Sequence, residues 1–235
     1  MFGFFAGSKQ KKTQFKLQPR QEVEVELQVG NGVYEAYFVQ VQEVHKKRVV
    51  LQIPGSERKP MRVGDGQAVT ISTLIDDNLL SYQGFVMGAR DRDFDVNYPP
   101  KEKDVVECNF PPRDDDFRIE VNISVEFRAM STAHTQVAKT HSVTRNGLFL
   151  LTNLPIPKAT SLLMEVEIPN GSEINTKGKA LSSVEDSSSG RRQYVTEVEF
   201  DADITEKDRA ALIRYAMFFK SRQDRAEKRA AEGTG

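Results

Sequence analysis

Hydrophobic and polar residues alternate through most of the first part of the chain, and turn residues interrupt this alternation about every ten positions. In the run EVEVELQV, a polar residue precedes every valine and leucine. A period of two is typical of strands that bury one face. Short strands at this spacing predict a small β-barrel. The predicted strands are Glu22–Val29, Val33–Val44, Val49–Ile53, Ala68–Leu74, Ser81–Ala89, Phe94–Tyr98 and Asp104–Asn109, the last of which closes the barrel.

The second part of the chain repeats this pattern beyond Pro111-Pro112, a pair that excludes regular secondary structure. In RIEVNISVEFR, the apolar residues again occupy every second position and therefore one face. About six such runs predict a second β-barrel. The predicted strands are Arg118–Arg128, Thr135–Thr144, Leu148–Thr152, Leu162–Ile168, Ile174–Val184 and Gln193–Phe200.

Near the C-terminus the apolar spacing changes from that of a strand to that of a helix. Asp203 and Glu206 have the spacing of a capping box, so Asp203 is the predicted N-cap. We expect the apolar side of this helix to pack on the second barrel. After about Phe219 the residues are almost all polar, so Lys220–Glu232 is predicted to be a frayed, solvated tail. The predicted apolar side consists of Ala210, Leu212, Ile213, Ala216, Met217 and Phe219.

These patterns predict a mainly β protein with two small β-barrels in tandem and a C-terminal α-helix. The expected segments are a flexible N-terminus at 1–16, a barrel at 17–110, a linker at 111–118, a barrel with the helix at 119–220 and a polar tail at 221–235.

Composition limits the function. Lysine and arginine number 33 against 34 acidic residues, so the chain lacks the basic excess of a general DNA- or RNA-binding protein. The single cysteine, Cys108, excludes a disulfide framework and favours a reduced, cytoplasmic protein. No window approaches the roughly 18 apolar residues of a transmembrane helix.

No catalytic pattern is visible either. The chain contains no nucleophile elbow, phosphate-binding loop or dinucleotide fingerprint. Its histidines, His45, His134 and His141, do not have the spacing of metal ligands. We therefore expect a protein that is not an enzyme and carries no cofactor or metal.

Two stretches combine groups that can bind an anion. The linker PPRDDDFR, residues 111–118, carries Arg113 and Arg118 around three aspartates. The segment SVTRNG, residues 142–147, is a strand that enters a turn and places Ser142 and Thr144 at alternate positions. Arginines that fold back onto a hydroxyl-lined strand would form a cradle for phosphate. The same residues are also compatible with a simple joint between two barrels.

The order of elements and these two stretches resemble the PilZ domain, a six-stranded barrel with a C-terminal helix that follows an arginine-rich linker. The PilZ pattern is RxxxR in the linker and [D/N]xSxxG on a strand that enters a turn. In SVTRNG, Ser142 stands at the acid or amide position, Thr144 at the serine and Gly147 at the glycine. GLFLLT and YVTEVEF are also similar to the family. The preceding barrel resembles the N-terminal domain of the YcgR-like flagellar brake proteins.

The resemblance implies a bacterial cyclic-di-GMP receptor. Its site residues would be Arg113, Arg118, Ser142, Thr144 and Gly147. It also implies that ligand binding changes the relative orientation of the barrels and regulates flagellar motility or a related surface-lifestyle process. The implied partners are cyclic di-GMP and flagellar motor proteins. The protein would act in the cytoplasm, with recruitment to the flagellar basal body, as a monomer or a homodimer.

The chain departs from the PilZ pattern at two positions. Aligned on Phe117-Arg118, Asp114 occupies the place of the first arginine, while Arg113 stands one residue earlier. Each carboxylate close to a bound phosphate costs on the order of 1 kcal/mol near a surface. Ser142 has a shorter reach than aspartate or asparagine, Arg145 offers a replacement cation, and Gly147 suits a turn with positive φ. The alternative is therefore a protein of this architecture that has lost the nucleotide and acts as a protein–protein interaction module.

Overall fold

The computed structural model describes residues 14–30, 32–55, 60–75, 78–108, 117–169, 173–187 and 192–232. The chain divides into two compact units, Met1–Asn109 and Phe110–Gly235. Each unit contains one seven-stranded antiparallel sheet. The sheet of each unit closes on itself, because one extra pairing joins two strands that are separated in the strand order. The mainly β fold class with two barrels and a C-terminal helix is thus confirmed.

The described strands of the first unit are β1 (Glu22–Gly30), β2 (Val33–Val44), β3 (Arg48–Gln52), β4 (Ala68–Ile75), β5 (Asn78–Ala89), β6 (Asp93–Asn97) and β7 (Val105–Cys108). Six of them form a closed ring in the order β1-β2-β3-β6-β5-β4. We expected the last strand to close this barrel, but that prediction is wrong. Strand β4 closes it by pairing with both β1 and β5, and among the described strands β7 pairs only with β5.

The core of the first barrel follows from the alternation in its strands. Val23, Val25 and Leu27 of β1 point inward and are at most 1% exposed. Each fully buried side chain of this size contributes roughly 1.5–3 kcal/mol to folding. Phe15 packs edge-on against Tyr82 with ring centroids 4.8 Å apart. Burial raises the pKa of Tyr82, whose hydroxyl donates to a backbone carbonyl at 3.1 Å.

An ionic cluster lies on the outer surface of this barrel. Asp95 on β6 is 5% exposed. It accepts one hydrogen bond from Arg48 and one from Arg90, each at 2.8 Å. Arg90 also pairs with Asp93 at 2.8 Å, and these carboxylates raise the pKa of the Arg90 guanidinium. Both cations are thus neutralised by carboxylates of the barrel itself.

The described strands of the second unit are β8 (Arg118–Glu120), β9 (Ser124–Ala129), β10 (Gln136–Thr144), β11 (Gly147–Thr152), β12 (Ser161–Glu167), β13 (Glu173–Asp186) and β14 (Gln193–Phe200). Six of them form a closed ring in the order β9-β10-β11-β14-β13-β12, and β8 pairs with β10. This ring has the same order as the first one, with each strand number increased by eight.

The run that we predicted as one strand, Arg118–Arg128, forms two strands instead. Thr140 causes the break, because its hydroxyl donates to the carbonyl of Val121 and accepts the N–H of Ile123. A bulge in β10 between Thr140 and Ser142 lies at the same place. The first part of β10 pairs with β9 and the last part with β8. The alternating residues of the run nevertheless remain buried, as the period predicts.

The two barrels also share their pairing register. The second strand of each ring, β2 or β10, has a bulge at the same distance from the turn that follows it. The fifth strand, β5 or β13, has a bulge opposite the corresponding residues of the neighbouring strand, between Val96 and Asp95 of β6 or between Val198 and Glu197 of β14. As a result, the pair Val50–Asp95 in the first barrel corresponds to Phe149–Glu197 in the second. The pair Arg48–Asn97 corresponds to Gly147–Glu199.

The C-terminal helix α1 spans Glu206–Glu232, which corrects the sequence prediction at both ends. Thr205 caps it, because its hydroxyl oxygen accepts the N–H of Asp208 at 3.1 Å, and its hydroxyl donates to that carboxylate at 2.8 Å. The predicted cap, Asp203, pairs instead with Lys177 at 3.2 Å. The buried side chains of α1 include Leu212, Tyr215, Ala216, Met217 and Phe218.

The polar end of α1 is helical. Our prediction of a frayed tail is therefore wrong. Its alanines and long unbranched side chains have high helix propensity. Lys220 pairs with Asp224 one turn later at 2.6 Å, and this hydrogen bond raises the pKa of Lys220. Arg225 donates to Ser221 at 2.7 Å. Over the part of the chain that the structure describes, no helix combines the length and the apolar character needed to cross a membrane.

Candidate ligand site on the second barrel

Three strands bring the residues of the two sequence stretches together on the outer face of the second barrel. Arg118 begins β8 and pairs with Thr144 at the end of β10. Gly147 begins β11 just after the turn, and Ser142 of β10 pairs with Phe149 of β11. Arg113, the other predicted site residue, lies outside the described residues. The barrel thus places Arg118, Ser142, Thr144 and Gly147 on adjacent strands.

Ser142 orients Arg118. The Nε of Arg118 donates to Ser142 Oγ at 2.8 Å, and the serine is 0% exposed while the arginine is exposed. The Nδ1 atom of His141 lies 3.5 Å from both Ser142 Oγ and a terminal nitrogen of Arg118. The geometry therefore gives the serine hydroxyl the role of holding the guanidinium, and the role predicted for it at the ligand stays a prediction.

Phe149 supports the same guanidinium from below. The central carbon of the Arg118 guanidinium lies 3.8 Å from the centre of the Phe149 ring. A cation over an aromatic face at this distance gains roughly 0.5–1 kcal/mol at an exposed site. The ring and the serine together fix the plane of the guanidinium. Its terminal nitrogens can then donate to an anion without a further loss of side-chain freedom.

Gly147 is required for a reason other than the one we predicted. We expected a positive φ at Gly147, but among the described glycines those with a positive φ are Gly32 and Gly66. A Cβ on Gly147 would instead lie 2.0 Å from the carbonyl oxygen of Val198. The absence of a side chain therefore allows β11 to approach β14 closely.

These residues surround a cavity of about 400 Å³. That volume lies within the usual range of small-molecule sites, roughly 300–1,000 Å³. Two cations and two carboxylates line it, so it offers groups both for an anion and for N–H donors. The lining residues are Phe117, Arg118, Thr144, Arg145, Asn146, Gly147, Phe149, Leu181, Glu197, Val198 and Glu199.

Arg145, which the sequence suggested as a replacement cation, is one of the lining residues. Its guanidinium carbon lies 5.3 Å from the centre of the buried ring of Phe117. Its Nε is buried and has no hydrogen-bond partner among the described residues. Arg118 on β8 and Arg145 in the turn between β10 and β11 thus give the cavity two positive charges.

Sequence reasoning missed Phe149, Glu197 and Glu199 as members of this site. The signal was present, because each stands at an outward position in an alternating run, in GLFLLT or YVTEVEF. What the sequence lacked was the neighbour relation between β11 and β14, which are separated by more than forty residues.

A second cavity, with a volume of about 390 Å³, lies on the outer face of β9, β12 and β13. Its lining includes Glu126, Arg128, Glu165 and Lys177 but none of the predicted site residues. Among the described residues, no cluster of histidine, cysteine, aspartate and glutamate could hold a metal ion. The cavity beside Arg118 is therefore the candidate site.

No family model matches the chain, and no curated protein sequence does so either. Among solved structures, it is similar to the inhibitor of motility MotI/DgrA of Bacillus subtilis, with 13% identity, a TM-score of 0.40, and 88% of this chain and 99% of that chain covered. It is similar to MrkH of K. pneumonia in complex with c-di-GMP, with 11% identity, a TM-score of 0.40, and 86% and 90% covered.

It is also similar to YcgR of Escherichia coli in complex with c-di-GMP, with 12% identity, a TM-score of 0.35, and 90% of this chain and 87% of that chain covered. YcgR is the namesake of the two-barrel proteins that the sequence resembles.

Proposed function

We propose that this chain is a cyclic-di-GMP effector that acts by binding and not by catalysis. The observation that carries the proposal is the guanidinium of Arg118, which Ser142 holds at 2.8 Å and which lies 3.8 Å over Phe149 beside the cavity. A fixed planar cation next to an aromatic ring suits a ligand that combines phosphates with planar bases. The resemblance of the sequence to PilZ proteins narrows this class to cyclic di-GMP.

The predicted site residues take distinct roles in this proposal. Arg118 binds phosphate or the acceptor edge of a base, and Arg113 assists it from the linker. Thr144 offers its half-buried hydroxyl at the mouth of the cavity. Ser142 positions Arg118, and Gly147 lines the cavity as a backbone contact for the ligand.

We further propose that the bound nucleotide changes the relative orientation of the two barrels and so regulates motility through flagellar motor proteins. The support is the place of the arginines in the sequence, since Arg113 and Arg118 both belong to the linker at 111–118. Fluorescence energy transfer between one dye on each barrel tests this step. A change on addition of cyclic di-GMP is expected, and an unchanged transfer efficiency at saturating ligand would contradict it.

Calorimetric titration with cyclic di-GMP tests the binding itself. We expect binding by the native chain and a loss of roughly 100-fold or more in Arg118→Ala, because a charge-assisted anchor is removed. Arg192→Ala is the matched control, since that arginine lies on the same barrel, is 75% exposed and does not line the cavity. Absence of binding by the native chain at tens of micromolar protein would refute the proposal.

A second candidate function is that of a protein–protein interaction module without the nucleotide. The observation that favours it is a pair of exposed apolar residues on β5 of the first barrel, Phe85 at 54% and Met87 at 58%. Asp114 in the linker favours it as well, since it stands where the PilZ pattern has arginine. This function requires Arg118→Ala to retain the cellular role of the protein. Loss of that role with an intact fold would exclude it.

A further inference from the structure

The shared register of the two barrels identifies Glu197 as the counterpart of Asp95. Asp95 pairs with Val50 across β3 and β6, and Glu197 pairs with Phe149 across the corresponding strands β11 and β14. In the first barrel, this outward carboxylate accepts N–H groups from two guanidiniums, each at 2.8 Å. A carboxylate at this place in the fold is thus geometrically suited to planar donors that approach from outside the barrel.

The second barrel lacks the two donors that satisfy Asp95. Gly147 occupies the register position that Arg48 has in the first barrel. When the pairing is continued past the bulge of β13, Val184 occupies the position that Arg90 has. Glu197 is half-buried, and within the described part of the chain its hydrogen-bond partner is Ser182, at 3.2 Å from Oε2. Its carboxylate therefore retains the capacity to accept further N–H groups.

The surroundings of Glu197 indicate what those N–H groups belong to. Its direct cross-strand neighbour is Phe149, whose ring lies under the guanidinium of Arg118. Neighbouring strands are about 4.8 Å apart, so a planar base stacked on this guanidinium would have its edge close to Glu197. Guanine presents two N–H donors on its Watson–Crick edge, at N1 and at the 2-amino group, which match the two oxygens of a carboxylate.

We propose that Glu197 is the residue that determines base specificity in this site, by accepting both N–H donors of one guanine of the bound nucleotide. This inference rests on the proposed function. It explains why carboxylates line a cavity that is meant for an anion, since the phosphates face the arginines and a base edge faces Glu197. Adenine is rejected, because its N1 lone pair would face the carboxylate. Hypoxanthine, which lacks the 2-amino group, forms only one of the two bonds.

The test compares three cyclic dinucleotides, with guanine, hypoxanthine or adenine as the base, in calorimetric titrations of the full chain and of Glu197→Gln. Glutamine keeps the shape but loses the charge and one acceptor. We expect the native chain to prefer guanine over hypoxanthine by roughly 10-fold, and Glu197→Gln to bind the guanine ligand roughly 10- to 100-fold more weakly. The ratio between guanine and hypoxanthine should fall to about one.

Glu167→Gln is the matched control, because Glu167 is exposed on β12 of the same barrel and does not line the cavity. It should retain the native affinities and the native preference. Binding by the native chain together with an unchanged preference in Glu197→Gln would overturn this inference and leave the proposed function intact. No binding of any of the three ligands by the native chain would refute the proposed function itself.

Discussion

The two barrels share one strand order and one register, but they hold their arginines in different ways. In the first barrel, Arg48 and Arg90 both donate to the buried carboxylate of Asp95. In the second, the described residues hold Arg118 with a serine hydroxyl and an aromatic ring and not with a carboxylate. A guanidinium paired with a carboxylate is neutralised and stabilises the fold. A guanidinium that is held by neutral groups keeps an uncompensated positive charge, which can bind an anionic ligand.

The largest expected effect concerns the position where the barrels differ most in side-chain size, Arg48 against Gly147. In Gly147→Ala the new Cβ would lie 2.0 Å from the carbonyl oxygen of Val198, so two backbones must separate. We expect a loss of about 3 kcal/mol in the free energy of unfolding, measured by urea denaturation. Gly88→Ala is the control, since a Cβ there meets no atom within 4 Å. Equal stability of the two variants would contradict the close approach of β11 and β14.

The next effect separates the two corresponding carboxylates. Asp95→Asn should lower the free energy of unfolding by about 2 kcal/mol, because the buried group that accepts two charged hydrogen bonds loses its negative charge. The loss is not larger, because both arginines are about half exposed and remain partly solvated. Glu197→Gln should change it by less than about 0.5 kcal/mol, because it loses only one hydroxyl contact. Ligand affinity should show the opposite order. A similar loss of stability in both variants would show that Glu197, like Asp95, is a structural residue.

A smaller effect is expected for the hydroxyl that orients Arg118. Ser142→Ala removes one hydrogen bond and leaves the cation in place, so affinity for cyclic di-GMP should fall about fivefold in calorimetry. Ser183→Ala on β13 is the control, because its hydroxyl bonds to Thr196 at 2.9 Å and it does not line the cavity. If both variants lose affinity equally, the hydroxyl acts through general stability and not through Arg118.

The smallest effect is a pH dependence of the first barrel. Burial, and then the hydrogen bond to Glu35, raise the pKa of Tyr37 to about 12 from 10.0. A raised pKa of the folded state means that the protonated phenol contributes its full stability below pH about 10 and loses it as the pH rises to about 12. Tyr37→Phe should therefore show a smaller fall in the free energy of unfolding between pH 9 and 11. An identical slope in both proteins would refute the linkage.

The alternating pattern was sufficient to predict two barrels, but it was not sufficient to predict which strands close each of them. Local residues such as Val23, Val25 and Leu27 reveal a buried face because side chains alternate within a single strand. The pairing of β4 with both β1 and β5 depends on residues far apart in the chain, so it had no local signal. The start of the helix was predicted wrongly for a related reason. Both Asp203 and Thr205 have side chains that can cap a helix, and only their contacts in the structure distinguish them.

The site followed the same division. Thr144 and Gly147 could be predicted from motif spacing, because the turn brings β10 and β11 together within a few residues. Arg118 could be predicted from the arginine pattern of the linker. Phe149 and Glu197 could not, since a register between distant strands places them beside each other.

By itself, the sequence determined the fold class, the strand-forming segments and the arginine and hydroxyl residues, because these depend on periodicity and side-chain chemistry. Only the tertiary structure decided that Ser142 lies beneath Arg118, that Gly147 makes room for a neighbouring backbone and that Glu197 stands where Asp95 stands in the first barrel. The physical reason is that hydrogen bonds between strands set the register, and the register determines which outward side chains become neighbours.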